Sequence, residues 1–344
     1  MSQRQFDYLV FIGRFQPFHV GHWEVLDRAL GLADKVIVLV GSSNQPRTIK
    51  NPFTFDERKK MIQNAFRQEN DRIVVEPLSD NKYNDTAWAA SVQSIVSSHV
   101  TSMGWSDKPR RGGIIGHVKD DSSYYLNLFP QWELIDHAIN EEVHATDIRS
   151  ILFESNLRYL HGVVDESTWK FLQTFSFGAD YNALVKEYKF INDYKRSWAA
   201  APYAPTFLTS DAVVVQSGHV LLVKRGASPG KGLFALPGGF VNQNERIEDG
   251  MLRELREETK LKVPEPVLRG SIKAKEVFDR PDRSLRGRTV TQAFYIELAP
   301  GKLPAVKGGD DAASAKWVPL SHVREEEMFE DHYSILKHFV GDLK

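Results

Sequence analysis

The period of the sequence changes once, near residue 200, and that change limits the folds open to the chain. Ahead of it, apolar runs of strand length alternate with amphipathic runs of helix length. "YLVFIG" (8–13) reads as a buried strand and "HWEVLDRALGLA" (22–33) as a helix. The series continues with "KVIVLVG" (35–41), a helix through "FDERKKMIQNAF" (55–66), "RIVVEPL" (72–78), a helix around "TAWAASVQSIV" (86–96) and "GGIIGH" (112–117). Strands that alternate with helices build parallel sheets with right-handed crossovers. The expected class of this half is therefore α/β, a doubly wound, Rossmann-like parallel sheet. Residues 146–195 read as mainly helical, and "WAAAPYAPTF" (198–207) reads as a linker. Beyond it, "FLTSDAVVVQSGHVLLVKRG" (207–226) is two strands around a "SGH" turn, a hairpin signal. A Gly/Pro-rich loop, a charged helix (245–259), two strand-like runs and a last helix near 331–340 follow. That is an α+β arrangement with its own core. The expected division is 1–195, a linker at 196–206, and 207–344.

Composition narrows the function. The 344 residues carry 44 Lys and Arg against 45 Asp and Glu, which provides no polyelectrolyte surface for nucleic acid or membrane. Cys is absent, which excludes disulfides and thiolate metal sites. The opening "MSQRQFDYLVF" lacks the apolar core of a signal peptide, and no apolar stretch approaches the roughly 18 residues of a membrane span. The expectation is a cytoplasmic protein whose partners are small molecules, with no nucleic acid and no membrane; a homo-oligomer is left open.

"GRFQPFHVGH" (13–22) follows directly on the first strand. Ligands of open α/β sheets bind at the carboxyl ends of strands. Gly13 there lets a phosphate approach the backbone. The helix expected from Gly21 or His22 points unpaired N–H groups and its positive dipole end at an anion. His19 and His22 can donate to phosphate oxygens in a transition state, and Arg14 adds a forked cation. No residue here is placed as a nucleophile, so direct phosphoryl or nucleotidyl transfer fits better than a covalent intermediate.

"HVGH" resembles the HxGH signature of the nucleotidyltransferase superfamily, and "GRFQPFHVGH" resembles the archaeal-type nicotinamide mononucleotide (NMN) adenylyltransferases. "GSSNQPRTIKNPFTFDER" (41–58), "IGHVKDDSSYYLNLFP" (115–130) and "HATDIRS" (144–150) are similar to further segments of that family. The resemblance implies adenylyl transfer from ATP to NMN. It places His22 on the α phosphate, and His19, Arg14 and Arg149 on the other phosphates. Thr146 would cap a helix N-terminus, and His117 and Asp120 would lie in the ATP site. Trp88, with Asn84 one turn before it, would be the platform for the nicotinamide ring. The serine that usually leads the last segment is His144 or Ala145 here.

The charged helix has its own logic. In "GFVNQNERIEDGMLRELREET" (239–259), Glu254, Glu257 and Glu258 stand at i, i+3 and i+4 and share one helical face. Ile247, Met251, Leu252 and Leu255 take the other side. Carboxylates crowded this way repel unless a cation joins them, and hard oxygen donors suit magnesium or manganese. The spacing resembles the Nudix box, G-x5-E-x7-R-E-hydrophobic-x-E-E-x-G, except that its last glycine is Lys260. A left-handed cap is expected there, strained for a lysine by roughly 1 kcal/mol. The resemblance implies hydrolysis of a nucleoside diphosphate linked to another group. Glu254, Glu257 and Glu258 would bind Mg2+ (or Mn2+), with Glu245 assisting, Gly239 beginning the substrate-facing segment and Arg253 orienting a carboxylate. The base is left open among Glu257, Glu258, Glu325, Glu326 and Glu327. "SLRGRTVTQAFYIEL" (284–298) and "GGDDAASAKWVPL" (308–320) are similar to the subgroup that handles ADP-ribose, with Arg286 or Arg288 on a ribose or phosphate.

Taken together, the chain resembles the bacterial bifunctional adenylyltransferase/Nudix hydrolases, with catalytic residues His19, His22, Glu254, Glu257 and Glu258. Two rivals stand beside this reading. The first half could adenylylate another acceptor, giving FAD or dephospho-coenzyme A; Trp88 and "KNPFT" speak against it. The second half could be an ADP-ribose or NAD sensor, although such sensors usually lose the box's carboxylates.

Overall fold

Apolar runs without alternation bury both faces of a strand, which only a covered parallel sheet can use. The computed structural model describes residues 4–102, 110–117, 121–137, 144–309, 312–341 and 343, with backbone alone for 121–123. The chain packs as two compact units, Met1–Val185 and Lys186–Lys344. In the first, β1 (Phe6–Gly13), α1 (Val20–Leu32), β2 (Ala33–Val40), α2 (Phe55–Ala65), β3 (Ile73–Pro77), α3 (Asp85–Ser102) and β4 (Gly112–Gly116) alternate as the sequence predicts, and a further strand, β5 (Glu133–Asp136), follows that it does not. Helices α4 (Ala145–Phe153), α5 (Glu166–Phe175) and α6 (Ala179–Ser197) follow. The five strands pair in parallel in the order β3-β2-β1-β4-β5. The order reverses between β1 and β4, so the topological switch point, where such sheets bind ligands, lies beside Gly13. Tyr8, Val10, Ile12, Ile37, Leu39 and Ile114 form the core on one face with Val92 and Val96 of α3. The division between the units falls inside α6, ahead of the boundary at 195 drawn from composition.

The second unit is a mixed sheet. Its elements are β6 (Thr206–Gln216), β7 (His219–Arg225), β8 (Phe234–Ala235), β9 (Gly238–Phe240), α7 (Ile247–Thr259), α8 (Glu265–Gly270), β10 (Ile272–Phe278), β11 (Arg288–Glu297), β12 (Ala312–Pro319) and α9 (His332–Val340). The strand order is β10-β11-β6-β7-β12, with β8 on β7 and β9 on β6. Strands β6 and β11 run parallel and the other pairs antiparallel. The 206–225 hairpin stands where its turn signal puts it. Helix α7 buries Met251, Leu252 and Leu255 against Ala212, Val214, Phe294 and Ile296, so the carboxylate face is turned away from the core.

Helix α7 ends where the box would have its glycine. Lys260 sits in the left-handed region (φ 52°, ψ 27°) and its N–H returns to Arg256 O. The conformation costs a side-chain-bearing residue about 1–2 kcal/mol, and glycine's larger unfolded-state entropy offsets about 0.4–1 kcal/mol of any relief. Lys260→Gly should therefore raise the urea midpoint slightly, by up to about 1 kcal/mol of stability. A lowered midpoint would show that the lysine side chain contributes more than its backbone costs.

Candidate active sites

At the end of β1 the chain folds back under itself. Phe15 (φ 51°) and Phe18 are buried, and the Gln16 side chain grips the backbone of Phe53, donating to its O (2.9 Å) and accepting from its N–H (3.0 Å). Helix α1 starts at Val20, one to two residues before the expected start, with His19 at the N-cap position. The His19 and His22 rings lie 3.7 Å apart, and His22 Nδ1 accepts from the His19 N–H (3.4 Å). Its proton therefore belongs on Nε2. The His22 ring stacks on Phe18 and meets Phe15 edge-on. Burial, with His144 and Arg149 nearby, lowers the His19 pKa to about 4; burial and His19 hold His22 well below its usual value. Both imidazoles are thus neutral N–H donors at pH 7.

Arg149 of α4 is buried and donates to Gln16 O (2.9 Å) and Thr146 Oγ1 (3.0 Å). Burial, then the nearby Arg14 charge, lowers its pKa to about 10. Arg14 therefore stands near Arg149 and Arg149 near His19 at the switch point, with His22 against His19. His117 directly follows β4 on the other side of that point; Asp120 lies outside the described residues. Thr146 does not cap α4. His144 holds the N-cap position and Thr146 lies in the first turn, where its hydroxyl orients Arg149 instead. Asn84 is an exposed residue whose Oδ1 caps α3 through the Ala87 N–H (2.9 Å). Trp88 is half-buried, edge-on to Tyr125 (5.9 Å) and tilted against Phe129 (6.0 Å). Part of its ring serves the core.

Sequence reasoning missed Arg58, which is 1% exposed. Its guanidinium donates to the carbonyls of Arg14 (2.7 Å), Gly41 (2.7 Å), Ser42 (3.1 Å) and Thr54 (3.2 Å). One buried cation thereby ties together the loops at the ends of β1 and β2. Its only signal was its place at the end of "NPFTFDER".

In the second unit Arg253 is the centre of the carboxylate helix. It holds Glu245 through two hydrogen bonds (2.7 and 3.0 Å), Glu254 (2.7 Å), Glu257 (3.0 Å) and Phe240 O (3.1 Å). The Arg253 hydrogen bonds pull the Glu245 pKa down to about 2. Glu258 lies apart from this group. It accepts from the Gly238 N–H (3.0 Å), yet burial, with Glu254 and Asp211 close by, pushes its pKa up to about 8. A Cβ on Gly239 would stand 2.6 Å from the Glu254 carboxyl, so glycine is required for that approach. Among the described residues no three carboxylate or imidazole groups converge as they stand to hold an ion. The donor set nevertheless fits a divalent cation: hard carboxylate oxygens, with Glu258 close enough to Glu254 and Asp211 to feel their charge.

Glu258, Arg286 and Glu330 line one cavity with Asp211, Arg283 and His332. Asp211 accepts from the Thr291 hydroxyl (2.6 Å), the buried Arg283 pairs twice with Asp331 (2.9 Å each), and His332 Nδ1 accepts from the Leu236 N–H (3.0 Å). Arg288 is drawn instead to the Asp279 carbonyl and carboxylate. Glu325 is buried, Glu326 and Glu327 pair with Arg324, and none of the three lines this cavity.

The two halves match two family models: Cytidylyltransferase-like over residues 10–151 and NUDIX domain over 206–339. A nicotinamide/nicotinic acid mononucleotide adenylyltransferase of Acinetobacter baylyi is 38% identical over 186 residues, 54% of this chain and 95% of its own. An ADP-ribose pyrophosphatase of Methanocaldococcus jannaschii is 31% identical over 164 residues, 48% of this chain and 87% of its own. A bifunctional NMN adenylyltransferase/ADP ribose pyrophosphatase from Francisella tularensis, solved with AMP and a Mn ion, is 34% identical with a TM-score of 0.88, covering 98% of this chain and all of that one. This chain belongs to the bifunctional NMN adenylyltransferase/ADP-ribose pyrophosphatase family. The first unit is the adenylyltransferase and the second the Nudix hydrolase.

The adenylyltransferase histidines generate a pH prediction. Between pH 6.5 and about 4 the unfolded chain binds protons at His19 that the folded chain refuses, so stability is complete above that window and falls as the pH drops through it. His19→Gln should flatten the loss of urea midpoint between pH 7 and pH 5. An unchanged slope would mean that the His19 imidazole is protonated in the folded protein.

Proposed function

We propose that the adenylyltransferase unit transfers the adenylyl group of ATP to NMN, giving NAD and pyrophosphate, and that the Nudix unit hydrolyses ADP-ribose to AMP and ribose 5-phosphate with Mg2+, or Mn2+ in its place. The observation that carries the first reading is the gathering of Arg14, His19, His22 and Arg149 around the switch point. The acceptor's phosphate attacks the α phosphorus of ATP in line, and pyrophosphate leaves. His22 Nε2–H donates to the α phosphate. His19, Arg14 and Arg149 hold the departing phosphates, with Gly13 leaving room at the strand end. Neutral imidazoles suit this role, because a donor aimed at developing charge costs no proton transfer. Trp88 offers its outward part to the nicotinamide ring, and His117 lies on the adenosine side.

In the Nudix unit, Glu254, Glu257 and Glu258 would hold the divalent ion, with Glu245 beside them. The ion supplies Lewis-acid polarisation of a phosphate oxygen and a water of lowered pKa. Arg253 keeps Glu254 and Glu257 oriented toward one face. Of the residues considered as base, Glu257 and Glu258 stand on the carboxylate face, whereas Glu325, Glu326 and Glu327 are engaged elsewhere. The intact carboxylate set supports catalysis over a sensor role.

His22→Ala should lower NAD formation by about 100-fold or more, the scale of one lost transition-state donor, with little change in NMN affinity. Near-normal turnover would remove His22 from the chemistry. The double variant Glu257→Gln/Glu258→Gln should abolish ADP-ribose cleavage, since two anionic ligands are lost while the apolar side of α7 is untouched. NAD synthesis by the same protein should stay within about twofold, a barrier change of about 0.4 kcal/mol. Retained cleavage would show that these carboxylates are not the ligands.

A further inference from the structure

Helix α6 buries Leu184 and Ile191. Glu187 stands between them at i, i+3 and i+7, so a carboxylate interrupts the apolar stripe. A charge so placed costs free energy unless it finds a partner. The partner is Gly230, whose N–H donates to Glu187 Oε2 (3.1 Å). Both residues lie in the second unit, yet Glu187 precedes residue 206, where the match to the NUDIX domain begins. Burial raises the Glu187 pKa, and the Gly230 N–H and the Arg225 charge pull it back. Gly230 sits in the loop between β7 and β8 with a φ of 72°, so close to Phe329 that a Cβ would run into the ring. The same loop fixes Arg225. Its Nε donates to Pro229 O (2.8 Å), its N–H to Leu233 O (2.9 Å), and its carbonyl accepts from the Gly232 N–H (2.9 Å). The Arg225 guanidinium lies over the Phe329 ring, 4.1 Å from the centroid, and lines the cavity that holds Glu258.

We propose that Glu187 is a positioning residue of the hydrolase: by holding the Gly230 loop it sets Arg225 against Phe329, where the guanidinium meets the substrate's diphosphate. The inference deepens the ADP-ribose reading and rests on it. The hydrolase cavity thereby depends on a helix that lies ahead of its own family match. Gly230 and Gly232 both take positive φ, and glycines lose the most conformational freedom on ordering. A loop of that kind holds one shape only if something outside it fixes the backbone. An arginine side chain loses several rotatable bonds when it grips a phosphate, and pinning it beforehand removes that cost from binding. The diphosphate is anionic before and during the reaction. An arginine aimed at it therefore acts on substrate and transition state alike, and its loss reads out in KM more than in kcat.

The test is steady-state hydrolysis of ADP-ribose by the full chain. Glu187→Leu suits the apolar stripe and removes the acceptor. It should raise KM by about tenfold, the scale of one hydrogen bond to a charged group, with kcat within about twofold. Glu187→Gln keeps an acceptor oxygen for Gly230 and should return KM to within about twofold of wild type. In an Arg225→Gln background, Glu187→Leu should add less than about twofold, because the two residues act as one unit. NAD synthesis by each variant checks that the chain is intact. An unchanged KM in Glu187→Leu, or a full tenfold effect that persists without Arg225, would overturn the inference while the hydrolase reading stands. A wild-type protein that leaves ADP-ribose intact would overturn that reading and the inference with it.

Discussion

Like charge gathered in a half-dry pocket must be answered by something, and each unit is organised around that demand. In the adenylyltransferase the gathered charge is positive. Arg58 and Arg149 each stand near Arg14, and Arg149 also near His19, and the protein answers by turning backbone carbonyls inward and keeping the imidazoles neutral. Arg58 spends its hydrogen bonds on four carbonyls and Arg149 one of its on Gln16 O. In the Nudix unit the gathered charge is negative. Arg253 hydrogen-bonds three carboxylates at once, and burial, with Glu254 and Asp211 close by, pushes the pKa of Glu258, beyond its reach, up to about 8. Each gathering of charge calls for a partner of opposite sign: phosphate in the proposed adenylyl transfer, a divalent cation in the proposed hydrolysis.

The scaffold follows from where such pockets can be built. A parallel sheet that reverses its order beside β1 opens a crevice at strand ends, where a helix N-terminus already favours anions. An amphipathic helix anchored by Met251, Leu252 and Leu255 can carry a carboxylate face that would be intolerable if turned inward. The cost of departing from the ideal is visible at Lys260, whose left-handed backbone ends that helix without glycine.

Much of this was legible in the sequence because it is local. Strand length, helical period and the spacing of Glu254, Glu257 and Glu258 are properties of neighbouring residues. The HxGH stretch likewise sits within one turn. What escaped was set by distant contacts. Strand β5 is four residues, "ELID", and exposed along most of its length, so no apolar run announces it. Arg58 lies 44 residues from the Arg14 carbonyl that it holds, and Arg283 lies 48 from Asp331. The resemblance made Thr146 a cap, but His144 takes that place and leaves the hydroxyl for Arg149. The choice between Arg286 and Arg288 turned on Asp279, whose carbonyl and carboxylate draw Arg288 away.

The central claim is that one chain uses its cationic pocket to build a nucleotide diphosphate linkage and its anionic pocket to break one. The most direct measurement is chromatography of products from the purified full chain, given ATP, NMN and Mg2+ in one reaction and ADP-ribose with Mg2+ in another. The account predicts NAD and pyrophosphate from the first, and AMP and ribose 5-phosphate from the second, with a chelator stopping the second. ADP-ribose that is bound but left intact, or no NAD from the first mixture, would contradict it.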